Sequence, residues 1–311
     1  MNEALLPEIK SSILTLSDKG TRSTMTPIER DELDQWPIDR TIVLTLDLEC
    51  DYGTALRENT FEAATMTPRL REILETYDVP LTVFLQSQIL DEAPKTVRAL
   101  ENSDVPVEFH AHSHTHPRRQ NADVPLEVSK SVDRVRDRFN SDPVGFRFPD
   151  GAAEVRDYET LAERDVPFNA SLFPSWRPGR FNNSNEPRYP FQHTPTGVTE
   201  IPFTVYSERV RLPVALSYLK LVGFPFERLL RWSPPNVIVF DMHMHDLFAP
   251  PSYRDLPPVY RAIYARHKND GVRIFSEFVG DLKSAGYQFI TMSELYRKVQ
   301  NSFYLGDRDG R

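Results

Sequence analysis

Short apolar runs alternate with stretches of helical spacing along most of the chain. Thr41-Ile42-Val43-Leu44-Thr45-Leu46 is β-branched and apolar, ends at Asp47, and reads as a strand buried on both faces. Similar runs predict strands at 79–85, 105–109, 144–148, 166–172, 236–242 and 287–291. Between them, helical spacing appears at 61–77, 125–139, 153–164 and 270–285. In the second of these, Val128, Val132, Val135 and Phe139 share one side, with charge on the other. A last helix begins near Ser293, read as its cap, with Glu294 in the first turn. Strands alternating with helices imply βα units and a parallel sheet. Residues 1–39 lack a clear period and read as an N-terminal arm with room for a short helix. Residues 40–300 show no composition break and form one domain, and 301–311 are a C-terminal tail. The Pro-, Asn-, Ser- and Arg-rich stretch 173–200 predicts a long surface loop.

Composition narrows the class. A chain of 311 residues that is 40% hydrophobic can bury a large core, which excludes wholesale disorder. A net charge of -8, with no basic stripe, argues against nucleic acid as a partner. One cysteine, Cys50, rules out an internal disulfide and fits a reducing compartment. No run reaches the roughly 18–20 apolar residues of a membrane helix. The nearest, 212–226, is broken by Pro213, Lys220 and Pro225. It is expected to be a helix packed on the domain, in preference to a subunit interface or a patch for a lipid-linked substrate. The acid-bearing N-terminus does not resemble a secretory signal, so a cytoplasmic location is expected.

Candidate chemistry sits where predicted strands end. Four of the eight histidines fall within seven residues in His110-Ala111-His112-Ser113-His114-Thr115-His116. Neutral imidazole is the commonest metal ligand, and a four-residue spacing lets two rings meet on one helical turn. His112 and His116 are therefore the candidate pair, while His110 and His114 are read as supporting or packing residues. In Asp47-Leu48-Glu49-Cys50-Asp51, alternation puts three carboxylates on one face, where a cation would relieve their repulsion. Arg147-Phe148-Pro149-Asp150-Gly151 offers an arginine that can pair with a carboxylate. His243 follows the strongest late strand, with His245 and Asp246 behind it, and a histidine held by an acid can donate a proton.

These motifs, in this order over roughly residues 40–295, resemble the polysaccharide deacetylase family, the carbohydrate esterases of family 4 that share the NodB homology domain. His112-Ser113-His114-Thr115-His116 matches His-[Ser/Thr]-x-x-His, Arg147 to Gly151 matches Arg-x-Pro-x-Gly, and His243 ends the matching late strand. The first motif departs from the usual Thr-Phe-Asp-Asp. It reads Thr45-Leu46-Asp47-Leu48-Glu49, an Asp-x-Glu variant that passes the ligand role to Glu49, with Asp51 as the alternative carboxylate. Asn169 stands where related chains often carry the Asp that orients the histidine, leaving Asp241 or Asp246 to substitute.

The resemblance implies an α/β fold, a distorted (β/α) barrel of about seven parallel strands with outer helices. It implies one divalent metal on Glu49, His112 and His116, with zinc favoured and cobalt, nickel or iron chemically reasonable. Asp47 then acts as base beside Arg147, His243 as acid, and an N-acetylated sugar is cleaved to acetate and an amine. Two rivals stand beside this: another C–N hydrolase on the same fold acting on a small amide, and a metal- or glycan-binding module without turnover. A homo-oligomer is left open.

Overall fold

The computed structural model describes residues 28–139, 145–177 and 180–309, with side chains described as far as residue 305. The strands are β1 (Arg30–Glu32), β2 (Thr41–Leu48), β3 (Leu81–Leu85), β4 (Val107–Ala111), β5 (Gly145–Phe146), β6 (Phe168–Asn169), β7 (Trp176–Arg177), β8 (Phe181–Asn182), β9 (Phe191–His193), β10 (Thr199–Glu200), β11 (Val237–His243) and β12 (Gln288–Phe289). Ten of them share one sheet in the order β1-β9-β10-β6-β5-β4-β3-β2-β11, with β12 also on β2; β7 and β8 pair separately. Each of the seven predicted strands is present. All pairs from β10 through β6, β5, β4, β3 and β2 to β11 are parallel, as expected of strands joined by crossover helices. Beyond β10, residues 201–204 bond both neighbours: Ile201 N to Asn169 O on one side, and Thr204 Oγ1 to Val237 O on the other.

The two-residue period of β2 sorts its side chains into two environments. Ile42, Leu44, Leu46 and Leu48 pack outward against the helices, with Leu70, Leu74, Phe240, Phe275 and Val279 in the same cluster. Val43 faces inward with Phe84, Phe168, Phe203 and Val239, and the helix Met292–Asp309 adds Met292, Leu295 and Val299 to that inner cluster. These rings exclude water, and truncating one such buried phenylalanine to alanine costs about 3–5 kcal/mol. The same alternation continues Val43 into Thr45 and Asp47. Parallel register sets Thr45 beside Asp241, and Asp47 beside Phe84 and His243. The inner face is thus apolar at its base and polar at the strands' C-terminal ends, where enzymes of this layout place their sites.

Five expectations are corrected. The arm contributes β1, which pairs antiparallel with β9; its first 27 residues, and any helix in them, lie outside the described residues. The 173–200 stretch is no plain surface loop: it holds β7 to β10 and buries Asn183, Glu186, Phe191 and His193. The final helix runs to Asp309, so 301–309 continue a helix rather than form a tail. Its cap is Thr291, whose hydroxyl accepts the Glu294 N–H (3.4 Å) while the Glu294 carboxylate accepts the Thr291 N–H (3.0 Å). The apolar 212–226 segment breaks at Gly223 into helices Leu216–Val222 and Phe224–Trp232, and Leu216 and Leu219 pack into the core as expected.

Candidate active site

Glu49, His112 and His116 converge, and together they can hold a metal ion. The Glu49 Oε2 atom lies 3.1 Å from His112 Nε2 and 2.5 Å from His116 Nε2. The second contact is close but misaligned, so both ring nitrogens of His116 lack a sound hydrogen bond although buried. Buried polar atoms are rarely left so. His112 Nδ1 donates to the Arg147 carbonyl (2.8 Å), which fixes the tautomer and leaves the Nε2 lone pair facing Glu49. The backbone of Gly53, at φ +51°, sits so near that a Cβ there would lie 3.0 Å from Glu49 Oε1 and 3.2 Å from His116 Cε1. An imidazole pair with one carboxylate, fixed from behind and carrying orphaned nitrogens, fits a divalent cation.

The histidine pair does not meet on a helix. Residues 112–116 form an irregular turn with Ser113 (φ 60°) and His116 (φ 56°) in the left-handed region. Glu127, from the helix Val124–Phe139, holds this strained turn by accepting from His114 N, Thr115 N and Thr115 Oγ1, and Ser113 Oγ accepts the His116 N–H. His110 pairs with Glu108 (3.1 Å) and lies against Phe84 and Phe168, and His114 bonds Ser87. Both are structural, as the sequence suggested.

Arg147 is 1% exposed. Its Nη1 donates to Asp47 (2.5 Å), Thr45 (2.9 Å) and Asp241 (3.2 Å), its Nε donates to the Ala170 carbonyl (2.8 Å), and Phe84 and Phe203 flank it at 3.9 and 4.3 Å. Burial, then the nearby Asp47 charge, pushes Asp241 up to about 7. Asp47 Oδ2 stands 3.9 Å from both His112 Nε2 and His243 Nε2, between the candidate metal ligands and the last histidine.

His243 is oriented by Asp246, whose Oδ2 lies 3.0 Å from His243 Nδ1. The two residues also form a capping box on the helix Met244–Leu247. Burial opposes charge on His243, but Asp241, Glu49 and Asp246 outweigh it and hold the imidazolium well above the usual histidine range. Asn169 is far from this pair in function: it donates to Glu200 (2.5 Å) and accepts from Ser171 (2.5 Å). Of the two substitutes named from sequence, Asp246 takes the orienting position and Asp241 sits on Arg147.

Asp51 is corrected as a ligand candidate. It accepts from Thr60 Oγ1, Glu62 N, Ala63 N and Ser252 Oγ, and is absent from the ligand cluster. Sequence reading also missed several residues here. Thr45 lies within the first motif, where alternation from Asp47 points to it, and Gly53 lies four residues past the motif's end. Lys220 gives no motif signal beyond being a charge inside an apolar helix.

The site opens into a cavity of about 550 Å³. Its outer wall draws on Trp176, Arg177, Tyr218, Tyr260, Tyr264 and Arg266, from the β7–β8 hairpin and the later helices. Flat aromatic faces and guanidinium groups suit a sugar carrying hydroxyls and amides.

The sequence model of the polysaccharide deacetylase family matches residues 37–166, a span holding Asp47, Glu49, His112, His116 and Arg147 and ending before His243. No curated protein matches the chain. Among solved structures it is similar to a Mycobacterium smegmatis protein designated a polysaccharide deacetylase, at 16% identity and TM-score 0.57, over 88% of this chain and 96% of that one. It is also similar to a carbohydrate esterase family 4 pseudoenzyme from Bacillus anthracis, at 13% identity and TM-score 0.50, over 83% of this chain and 66% of that one. At these identities the likeness shows the fold: a mixed α/β domain on a mostly parallel sheet. Residues 37–166 thus match the polysaccharide deacetylase family model, and the fold around them is the one shared with these solved structures.

Proposed function

We propose that this protein is a metal-dependent N-deacetylase that hydrolyses the acetamide of an acetylated amino sugar, in a glycan or a glycan precursor. One observation carries the reading. Glu49, His112 and His116 converge on one point, with Asp47 and His243 next to it and 3.9 Å from each other, on the wall of an open cavity. A bound divalent ion, zinc by its donor set, would polarise the acetamide carbonyl and acidify a water.

The chain's own residues supply the rest. Asp47 accepts the proton of the attacking water, and Arg147 fixes it by a bond to its other oxygen. Thr45 and the two flanking rings keep that arginine from turning away. His243, held charged, delivers its Nε2 proton to the amine nitrogen as the C–N bond breaks and nitrogen takes the bonding pair. Acetate and a free amine leave through the cavity.

The test is metal content and acetate release. Wild type should hold near one equivalent of transition metal per chain and release acetate from N-acetylated oligosaccharides. His112→Ala should lose both. Metal binding without acetate release from any acetylated sugar, polymeric or small, would move the assignment to a glycan-binding module. Release from small linear or cyclic amides alone would move it to another amide hydrolase.

A further inference from the structure

Lys220 is 4% exposed, in the helix Leu216–Val222, and reaches the wall of the active-site cavity. Its neighbours in the helix sequence Leu-Ser-Tyr-Leu-Lys-Leu-Val are mostly apolar. A methionine of similar length would fill this space without taking a charge out of water. Lys220 Nζ donates to the Asp246 backbone carbonyl at 2.6 Å. Gly271 also packs against that carbonyl, so closely that a Cβ there would lie 2.0 Å from the oxygen. The turn that carries Asp246 is therefore held by a lysine hydrogen bond and by close packing of a glycine on the same carbonyl.

Three basic groups act on the Asp246 carboxylate: His243, His245 and Lys220. His245 is neutral: burial brings it down to about 4, and its Nδ1 accepts the Tyr52 N–H (3.1 Å). His243 carries charge only until it gives up its proton. Once it has, a buried carboxylate with one oxygen already lacking a hydrogen-bond partner faces a neutral ring. Burial pulls Lys220 below the ordinary lysine range while the Asp246 charge opposes that, and of the three basic groups Lys220 is the one that neither lies neutral nor gives up a proton in the step.

We infer that Lys220 is a positioning residue for the proton donor, holding Asp246 charged and in place so that His243 is oriented both before and after it gives up its proton. The inference rests on the deacetylase reading of the site. It adds a cation from the helix Leu216–Val222, outside the motifs that define the site. The balance of the step is simple. The proton on His243 Nε2 passes to the leaving nitrogen, the C–N electron pair stays with that nitrogen, and the ring becomes neutral while Lys220 and Asp246 keep their charges.

The experiment compares wild type, Lys220→Met, Lys220→Gln and Lys220→Arg, loaded with zinc, on an N-acetylated amino sugar and on 4-nitrophenyl acetate. The amine needs a proton to leave, and 4-nitrophenolate does not. Lys220→Met should lose about 10- to 100-fold in kcat on the amide, part of the 10²- to 10⁴-fold a general acid supplies, with KM unchanged. On the aryl ester it should stay within about twofold. Lys220→Gln keeps a donor for the carbonyl but no charge, and should behave like Met; Lys220→Arg should recover most of the amide rate. Equal losses on amide and ester, or a full amide rate in Lys220→Gln, overturn the inference. A second readout needs no turnover. In the metal-free protein the His243 Nδ1 proton, shared with Asp246, should resonate far downfield and move upfield in Lys220→Gln. If wild type cleaves neither substrate, the deacetylase reading has failed by itself. The proton signal then decides: unmoved in Lys220→Gln, it sinks the role assigned to Lys220.

Discussion

Arg147 is the residue on which the inner face depends. Asp47 and Asp241 both approach its Nη1, and without the guanidinium two buried carboxylates would face each other in a largely apolar chamber. Removing one partner of a buried charged set leaves the others uncompensated, at about 3–5 kcal/mol. Arg147→Met should lower stability by that amount in urea unfolding and abolish acetate release. Adding Asp241→Asn should restore roughly half the stability and none of the activity, because it removes the repulsion but not the loss of Asp47's anchor. Strict additivity of the two changes would show that Asp241 and Arg147 are not coupled. Asn169 makes the complementary case. Its motif position suggested a defect in the proton donor, yet its amide satisfies Glu200, whose carboxyl burial pushes up. Asn169→Asp would set a second carboxylate against Glu200. It should cost about 2–4 kcal/mol of stability and raise no activity. A gain in kcat would mean that Asp246 is not the partner of His243.

At the scale of elements, β4 is tied at its start by Glu108, which accepts from Thr82 on β3 (2.8 Å) and from Ser293 N in the final helix (3.0 Å), and pairs with His110. Burial works against its charge, but these bonds and His110 prevail and bring the carboxyl from 4.5 down to about 2. A carboxyl depressed in the folded state adds stability that is complete above the unfolded value. That stability is lost as pH falls from about 4.5 toward 2, and amounts to about 2–3 kcal/mol. Glu108→Gln should flatten the fall in stability over that window, measured as urea midpoints from pH 5 to 2.5; an unchanged slope would remove Glu108 from the acid response. The elements themselves were readable to different depths. Seven of the eight strands with parallel partners were legible, most of them because buried strands are continuous apolar runs. β1, β9 and β10 were not, because two- and three-residue segments owe their existence to partners such as Arg30↔His193 and Thr199↔Phe168, which no local pattern encodes. Thr291 was missed as the final cap for a related reason: Ser293 is an equally good cap by type, and only backbone geometry separates them.

At the scale of the molecule, what was legible of the site came from motifs at strand ends, and what was not came from the walls. Asp47, Glu49, His112, His116, Arg147 and His243 lie on or just past parallel strands, so parallel register gathers them whatever the loops do. Asp51 was named as a rival to Glu49 because alternation alone puts both on one face. The strand ends at Leu48, and the chain then turns Asp51 into the N–H groups of Glu62 and Ala63. This difference gives the last prediction its discriminating power. A cation that binds the folded protein alone stabilises it by about 2.7 kcal/mol at a hundred times its dissociation constant, roughly 5–10 °C in Tm for a domain of this size. Zinc should therefore raise the Tm of wild type by that amount. Asp51→Asn should begin lower, having weakened the contacts of four donors, yet show the same rise, whereas His116→Ala should show almost none. A full rise in His116→Ala would place the cation elsewhere, and the group of His243, His245 and Asp246 is where it would be sought, since those ligand atoms also lie within 4.8 Å of one another. The proton donor would then be a ligand, and the division of labour between Asp47 and His243 would have to be redrawn.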